Sequence, residues 1–269
     1  MNRVTVTEVI KESDIRDLIT GRTLALHVPA YCPIDLCERL SHLAEQTSDA
    51  IEYKHDVRKS DGTIEEQDYR ITASMVPFTW VLTHTHDPDI EYTYFTSAKQ
   101  FKDKLDQTSY PALNPLQRLM DDFDGVWPHP VRLAKWKEAS LHAGLLRSTL
   151  PNASRLQDQP HVDSVPVLFN TIAQLSANIY LDVPKAGGEL IVYDHEPAKS
   201  HDDAKNYEAA LLKNWFNRIA TTTIQPQTGD LVLINTRRYH AVKTFEEGRR
   251  NTANCFIGCD SNHHLNFWS

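Results

Sequence analysis

Gln174-Leu175-Ser176-Ala177-Asn178-Ile179-Tyr180-Leu181-Asp182-Val183 is the stretch on which the fold turns. Side chains of an extended chain point alternately to opposite faces, so Gln174, Ser176, Asn178 and Tyr180 share one face and Leu175, Ala177, Ile179 and Leu181 the other. Leu190–Tyr193, Thr221–Ile224, Leu231–Asn235 and Thr252–Gly258 read as further strands after it, and Val131–Trp136 and Leu141–Leu150 as strands before it. One helical pattern interrupts the series, Asp202 to Ile219, with Tyr207, Leu211 and Trp215 at four-residue spacing. Eight or so strands behind a helical first half predict a mainly β chain with helical cover (α+β), a sandwich or barrel under helices.

The first half supplies that cover. Ser13 reads as the N-cap of a helix over Asp14–Ile19 that ends at Gly21, and Thr23–Val28 reads as a strand. Pro33 opens a longer helix with Ile34, Leu36, Cys37, Leu40, Leu43 and Ala44 on one face. Residues 55–70 are polar, turn at Ser60-Asp61-Gly62, and predict an exposed loop or hairpin. Ser97 is expected to cap a helix bearing Ala98, Phe101 and Leu105, and Asn114-Pro115 to start one running through Leu116, Leu119, Met120 and Phe123. No repeat or linker is visible. Residues 1–269 are therefore read as a single domain, with 1–130 as support and 131–269 as the strand-rich core.

Composition excludes several roles. The chain carries 28 Lys+Arg against 36 Asp+Glu, a net charge of −8, and no cationic run longer than Arg237-Arg238 or Arg249-Arg250. Phosphate-backbone binding needs clustered cations, so nucleic acid is not an expected partner. No stretch reaches the roughly 18 apolar residues of a membrane span, and Met1-Asn2-Arg3-Val4-Thr5-Val6-Thr7-Glu8 has no apolar signal core, so a cytoplasmic protein is expected. Cys32, Cys37, Cys255 and Cys259 are too sparse for a disulfide framework and match no common zinc spacing, which makes them reduced packing residues.

His161-Val162-Asp163 places an imidazole and a carboxylate two apart, on one face of an extended segment. Alone, the triplet means little and reads as a solvated loop after Pro160. His240 changes its weight: it follows the turn and apolar strand Gly229-Asp230-Leu231-Val232-Leu233-Ile234-Asn235, and Arg250-Asn251-Thr252 lies ten residues beyond it. Two histidines and one carboxylate on one face of a metal octahedron are the ligand set of non-haem Fe(II) oxygenases, and three positions stay open for a bidentate cosubstrate and O₂. A 2-oxo acid such as 2-oxoglutarate would chelate through its keto and C1 carboxylate oxygens. Its far carboxylate would then need a buried cation, and the planar fork of Arg250 suits it. Thr252 shares the face of Arg250 on a strand and can assist.

The order and spacing of His161, Asp163, Tyr180-Leu181-Asp182, Gly187-Gly188-Glu189-Leu190, Gly229-Asp230-Leu231, His240 and Arg250-x-Thr252 resemble the Fe(II)/2-oxoglutarate-dependent oxygenase superfamily, in its prolyl-hydroxylase-like branch. Pro184 to Tyr193 and the terminal Asn266-Phe267-Trp268-Ser269 resemble the stand-alone enzymes acting on free alkaloids, near the hydroxylases of N-acylated amino acids. The resemblance implies a double-stranded β-helix, a cupin-like jelly-roll with the iron between its sheets. It also implies oxidative decarboxylation of 2-oxoglutarate to succinate and CO₂, with oxidation of an unactivated C–H. Tyr180 resembles the tyrosine that supports the cosubstrate carboxylate. Halogenases of this type carry Gly or Ala where Asp163 stands, so hydroxylation is the expected outcome.

The expected partner is a small-molecule substrate: an amino acid, an amino acid derivative or a natural-product intermediate. A homodimer is left open. Arg147 and Arg155 are candidates for an acidic substrate group, and Asn178 and Trp80 for the pocket wall. The segment 202–219 exceeds what a minimal β-helix needs and reads as a packed helix or a lid. His84, His86, His263 and His264 form no second ligand set. Two competing readings stand: a zinc hydrolase or isomerase on a cupin-like barrel, which leaves Arg250 without a role, and a binding module without turnover. Desaturation or cyclisation could replace hydroxylation.

Overall fold

The computed structural model describes residues 3–46, 51–58, 64–84, 86–153, 158–163, 171–196 and 215–269. In chain order the first half contains β1 (Val4–Val6), α1 (Glu12–Ile19), β2 (Ala25–Val28), α2 (Ile34–Gln46), the hairpin β3 (Ile51–Arg58) and β4 (Ile64–Ala73), α3 (Phe78–Thr83), α4 (Ile90–Ser109) and α5 (Pro115–Val126). The second half contains β5 (Val131–Leu133), β6 (Lys135–Trp136), β7 (Ala139–Ser140), β8 (Leu145–Thr149), β9 (Thr171–Asp182), β10 (Leu190–Tyr193), β11 (Thr221–Ile224), β12 (Leu231–Asn235), β13 (His240–Val242), β14 (Arg250–Asp260) and β15 (Leu265–Trp268).

Two sheets organise most of these strands, and β6 and β7 pair separately as a two-stranded ribbon. The larger runs β1-β2-β12-β9-β14-β8-β4-β3, with β15 and β5 attached through β14, and the smaller runs β11-β10-β13. An isolated bridge from His161 to His240 widens the smaller sheet. From β8 onward the chain alternates between sheets: β8 in the larger, His161 in the smaller, β9 in the larger, β10 and β11 in the smaller, then β12, β13 and β14 in turn. That alternation winds a double-stranded β-helix. β9 is its central strand, antiparallel to β12 on one side and β14 on the other.

The alternation read from β9 decides the layers. Leu175, Ala177, Ile179 and Leu181 face the helix-side core with Ile15 and Leu18 of α1, Leu36 and Leu40 of α2, Phe101 and Leu105 of α4, and Leu119 and Phe123 of α5. Tyr180 points the other way, into a smaller core with Leu190, Val192, Ile224, Val232 and Ile234 between the sheets. Each fully buried Leu, Ile or Phe contributes about 1.5–3 kcal/mol, so the two faces fix the register of β9 from both sides.

Local details correct the sequence reading in three places. Ser13 lies inside α1; the cap is at Lys11, whose backbone N–H donates to Asp14 Oδ2 at 3.0 Å. A carboxylate at the third helical position outcompetes a hydroxyl for that orphan donor. Ser97 lies in the middle of α4 and donates to the Tyr94 carbonyl at 3.0 Å, because Tyr92, Tyr94 and Phe95 already belong to the helix. Ile34 is exposed, although its helix neighbours Leu36, Cys37 and Leu40 are buried. Asn114 does cap α5, its Oδ1 accepting from Leu116 N at 3.0 Å, and the described part of residues 55–70, 55–58 and 64–70, lies in the antiparallel strands β3 and β4. The expected helix over 202–219 lies outside the described residues up to 214; Trp215–Arg218 forms a 3₁₀ turn. The four cysteines are free and buried. Among the described residues no helix is long and apolar enough to cross a membrane.

Candidate active site

His161 and His240 are direct cross-strand partners, each backbone N–H donating to the other's carbonyl at 2.8 Å. Their rings therefore leave adjacent strands side by side, with centroids 4.5 Å apart. His161 Nδ1 meets the Gln159 carbonyl at 2.9 Å and His240 Nδ1 meets the Arg238 carbonyl at 3.1 Å. A carbonyl only accepts, so Nδ1 carries the proton in both rings and each Nε2 offers its lone pair inward. Asp163 Oδ2 lies 3.5 Å from His240 Nε2, and Oδ1 lies 4.0 Å from His161 Nε2. One ligand atom from each residue falls within 4.8 Å of the others, and no other such group exists among the described residues. Two neutral imidazoles and one carboxylate facing one point fit a single divalent ion of the first transition row.

The electrostatics suit a ligand set. Burial works against the charge on Asp163, but His240 and then His161, with a smaller part from Arg147, hold its carboxyl well below the usual carboxylate range. Burial alone would depress His240; the Asp163 carboxylate outweighs it and raises the imidazole. His161 is lowered by burial and by His240. The acid is therefore ionised wherever the protein is folded near neutrality.

A second cluster lies where β14 begins. Arg250 is buried, its Nη2 donates to the Tyr180 hydroxyl at 3.3 Å, and its guanidinium carbon stands 5.1 Å from the centroid of the Tyr180 ring. Thr252, also buried, pairs with Tyr180 across the strands. Among the described residues Arg250 Nε has no acceptor, and no carboxylate lies within 4 Å of this guanidinium. A buried cation without an anion is costly, so the cluster calls for an acidic ligand. Gly188 lines the same corner: a Cβ there would come 3.9 Å from Arg250 Cδ and 2.8 Å from Pro184.

The remaining candidates divide. Arg147 on β8 pairs with Thr252, and with the Asn254 amide turned so that its nitrogen donates to the Leu145 carbonyl, Asn254 Oδ1 accepts from Arg147 Nη1 at 3.0 Å. Asn178 sits opposite Asn254 and donates to Ser176 Oγ at 3.3 Å. Trp80 is in α3, on the helix-side core, its ring 4.9 Å from that of His84; no contact among the described residues joins it to the three ligands. Arg155 lies outside the described residues. Sequence reasoning missed the carbonyls of Gln159 and Arg238, together with Gln174, Thr236 and Asn254. Backbone acceptors leave no trace in residue type; Gln174, a polar residue on a strand buried on both faces, was the one available signal.

Residues 149–269 match the family model of the carrier-protein-independent halogenase WelO5. A hydroxylase of L-gamma-glutamyl-L-propargylglycine from Streptantibioticus cattleyicolor is 32% identical over 101 residues, which is 36% of this chain and 37% of that protein. The N-substituted L-amino acid dioxygenase of Burkholderia ambifaria superimposes with a TM-score of 0.60 at 15% identity, over 96% of this chain and 91% of the other. Its complex with alpha-KG gives 0.58 at 15% identity, over 96% and 90%.

Over residues 149–269 the chain is thus similar to the carrier-protein-independent halogenase family, and in fold to the N-substituted L-amino acid dioxygenase. The matched segment begins at Thr149, the last residue of β8, and includes all three candidate ligands, Tyr180, Arg250 and Thr252. The helices of the first half lie outside it, and the chain matches just over a third of the length of the curated relative.

Proposed function

We infer that this protein is an Fe(II)- and 2-oxoglutarate-dependent dioxygenase that hydroxylates an unactivated C–H of a small amino acid derivative, with release of succinate and CO₂. The observation that carries the reading is the pairing of two features in one fold: three ligand atoms within 4.8 Å, and a buried guanidinium lacking a carboxylate partner among the described residues. The iron would supply O₂ activation and the oxidation of both 2-oxoglutarate and the C–H bond.

The chain's own residues do the rest. His161, Asp163 and His240 hold the ion through two Nε2 atoms and a carboxylate oxygen. Arg250 receives the far carboxylate of 2-oxoglutarate, and the Tyr180 hydroxyl, already accepting from Arg250, has its own proton to give to the same group. Thr252 adds a second hydroxyl. Asp163 fills the position that a halide would take, which favours hydroxylation over halogenation although the matching family is named for a halogenase. Arg147, with Asn178 beside it on the inner face of the larger sheet, is assigned to an acidic group of the substrate; Arg155 and Trp80 remain substrate candidates from sequence. The relatives' names, a dipeptide hydroxylase and an N-substituted amino acid dioxygenase, support an amino acid derivative. The pairing of β2 with β12 supports reading 1–269 as one domain.

The test is O₂-dependent succinate release from 2-oxoglutarate on a panel of amino acids, N-acyl amino acids and γ-glutamyl dipeptides, followed by mass analysis for a gain of one oxygen. Anaerobic Fe(II) and 2-oxoglutarate should give a visible charge-transfer band. A protein that binds Fe(II) but shows neither the band nor succinate formation sinks the reading.

A further inference from the structure

Asp163 is the one candidate ligand that sits outside any strand pair, so its orientation must be imposed from elsewhere. Its backbone is held on both sides of Cα. The N–H donates to the Thr236 carbonyl at 3.1 Å, and the carbonyl accepts from Gln174 Nε2 at 2.7 Å. The second proton of that amide goes to Thr236 Oγ1 at 3.0 Å. Thr236 returns its backbone N–H, at 2.9 Å, and its hydroxyl, at 3.2 Å, to the Gln174 carbonyl. Gln174 is 5% exposed and Thr236 is fully buried, so these bonds form away from competing water.

No other side chain among the described residues hydrogen-bonds the Asp163 backbone. A buried amide is costly to desolvate, and packing on β9 would be served as well by an apolar residue. Gln174 spends both of its donors on one structure, the peptide that carries the carboxylate and the residue that pins the other side of it. With φ and ψ restrained from both sides, only the side-chain torsions of Asp163 remain free to bring its oxygens against the two Nε2 atoms.

We propose that Gln174 is a positioning residue for the carboxylate ligand: it holds Asp163 in its ligating conformation before an ion arrives, and thereby sets the metal affinity of the site. The inference rests on the metal-site reading above. Partners of this kind, one bond removed from a metal, change affinity by about 10–100-fold when lost.

The test uses the full chain and Co(II) alone, without 2-oxoglutarate, reading Kd and the visible spectrum of bound Co(II). Gln174→Met keeps the shape and deletes both donors. Thr236→Val deletes the hydroxyl but leaves the Thr236 carbonyl and the Gln174 bond to Asp163 intact. The expectation is at least about tenfold weaker Co(II) binding and an altered spectrum for Gln174→Met, with Thr236→Val within about threefold of wild type at a similar loss of Tm. Gln174→Asn, which keeps the amide but withdraws it by one methylene, should match Gln174→Met and replaces it if that variant fails to fold.

Unchanged Co(II) affinity in the Gln174 variants overturns the proposal. So does an equal loss in Thr236→Val, which would mark general loosening. Failure of the wild type to bind Co(II) overturns this proposal and the metal-site reading together, whereas binding with unaffected variants overturns this one only.

Discussion

Asp194 and Arg238 form an ion pair, Oδ1 to Nη1 at 2.9 Å, and the carbonyl of that same arginine accepts the Nδ1 proton of His240. A side-chain contact at the edge of the smaller sheet thus anchors the backbone atom that orients a candidate ligand. Arg3 approaches Asp194 from the other side. Gly21 leaves the room: with φ at +73°, a Cβ there would stand 2.3 Å from Arg238 Nη2.

Gly21→Ala should therefore destabilise the fold by about 1–2 kcal/mol, through the left-handed backbone and the displaced guanidinium. Urea unfolding gives the number. A variant as stable as wild type would mean that Arg238 is not held where it lies.

Arg250→Met should raise the KM for 2-oxoglutarate on the order of 10–100-fold, the loss of a charge-assisted pair worth roughly 1.5–3 kcal/mol. Tyr180→Phe should raise it less, because the guanidinium stays. Succinate formation against 2-oxoglutarate concentration measures both. Equal KM values in wild type and Arg250→Met would take the anchor away from Arg250.

Asp163→Gly should abolish hydroxylation, since the site loses one of three donors and the substitute offers none. Product analysis by mass spectrometry, with metal occupancy measured on the same sample, reads the result. Addition of chloride tests whether the freed position admits a halide. Undiminished hydroxylation would remove Asp163 from the ligand set.

His142 supplies a pH-dependent contribution to stability. Burial first, and then the Lys102 charge, push its imidazole down to about 4, while the contact of Nε2 with the Gly144 carbonyl at 2.9 Å opposes them. In the unfolded chain the same group titrates near 6.5. The fold thus demands the neutral ring: the contribution is complete above about pH 6.5 and is lost as the pH falls toward 4, up to roughly 3 kcal/mol. His142→Gln should flatten the difference in unfolding free energy between pH 7 and pH 5 relative to wild type. Identical slopes would show that the ring is not held neutral.

Much of this was legible in the residues. The alternation of Gln174 to Tyr180 against Leu175 to Leu181 carried two cores of different chemistry, and His161, Asp163 and His240, singled out as candidate ligands, are three residues that the fold brings together. Arg250 and Tyr180 were assigned to one carboxylate, and they meet. Capping was less legible: Ser13 and Ser97 are both good cap residues, but an aspartate at position 14 and aromatic residues from 92 onward decided where those helices begin. Long-range hydrogen bonds were not legible at all. Nothing in the order of residues says that an amide at 174 reaches the carbonyl of 163, or that a carboxylate at 194 steadies a histidine at 240. Such contacts exist only once the two sheets have closed on each other.

The reciprocal backbone bonds between His161 and His240 have a consequence for how an ion at the candidate site would be loaded. The two segments that bear the imidazoles are already joined by backbone hydrogen bonds, so the ordering cost falls on folding rather than on loading. Unlike a zinc finger, which is unfolded without its ion, this fold should survive chelation with its far-ultraviolet signature intact. Depletion and reloading would then be an exchange at a site already formed, and the stability gained on loading should follow simple mass action in the concentration of free ion.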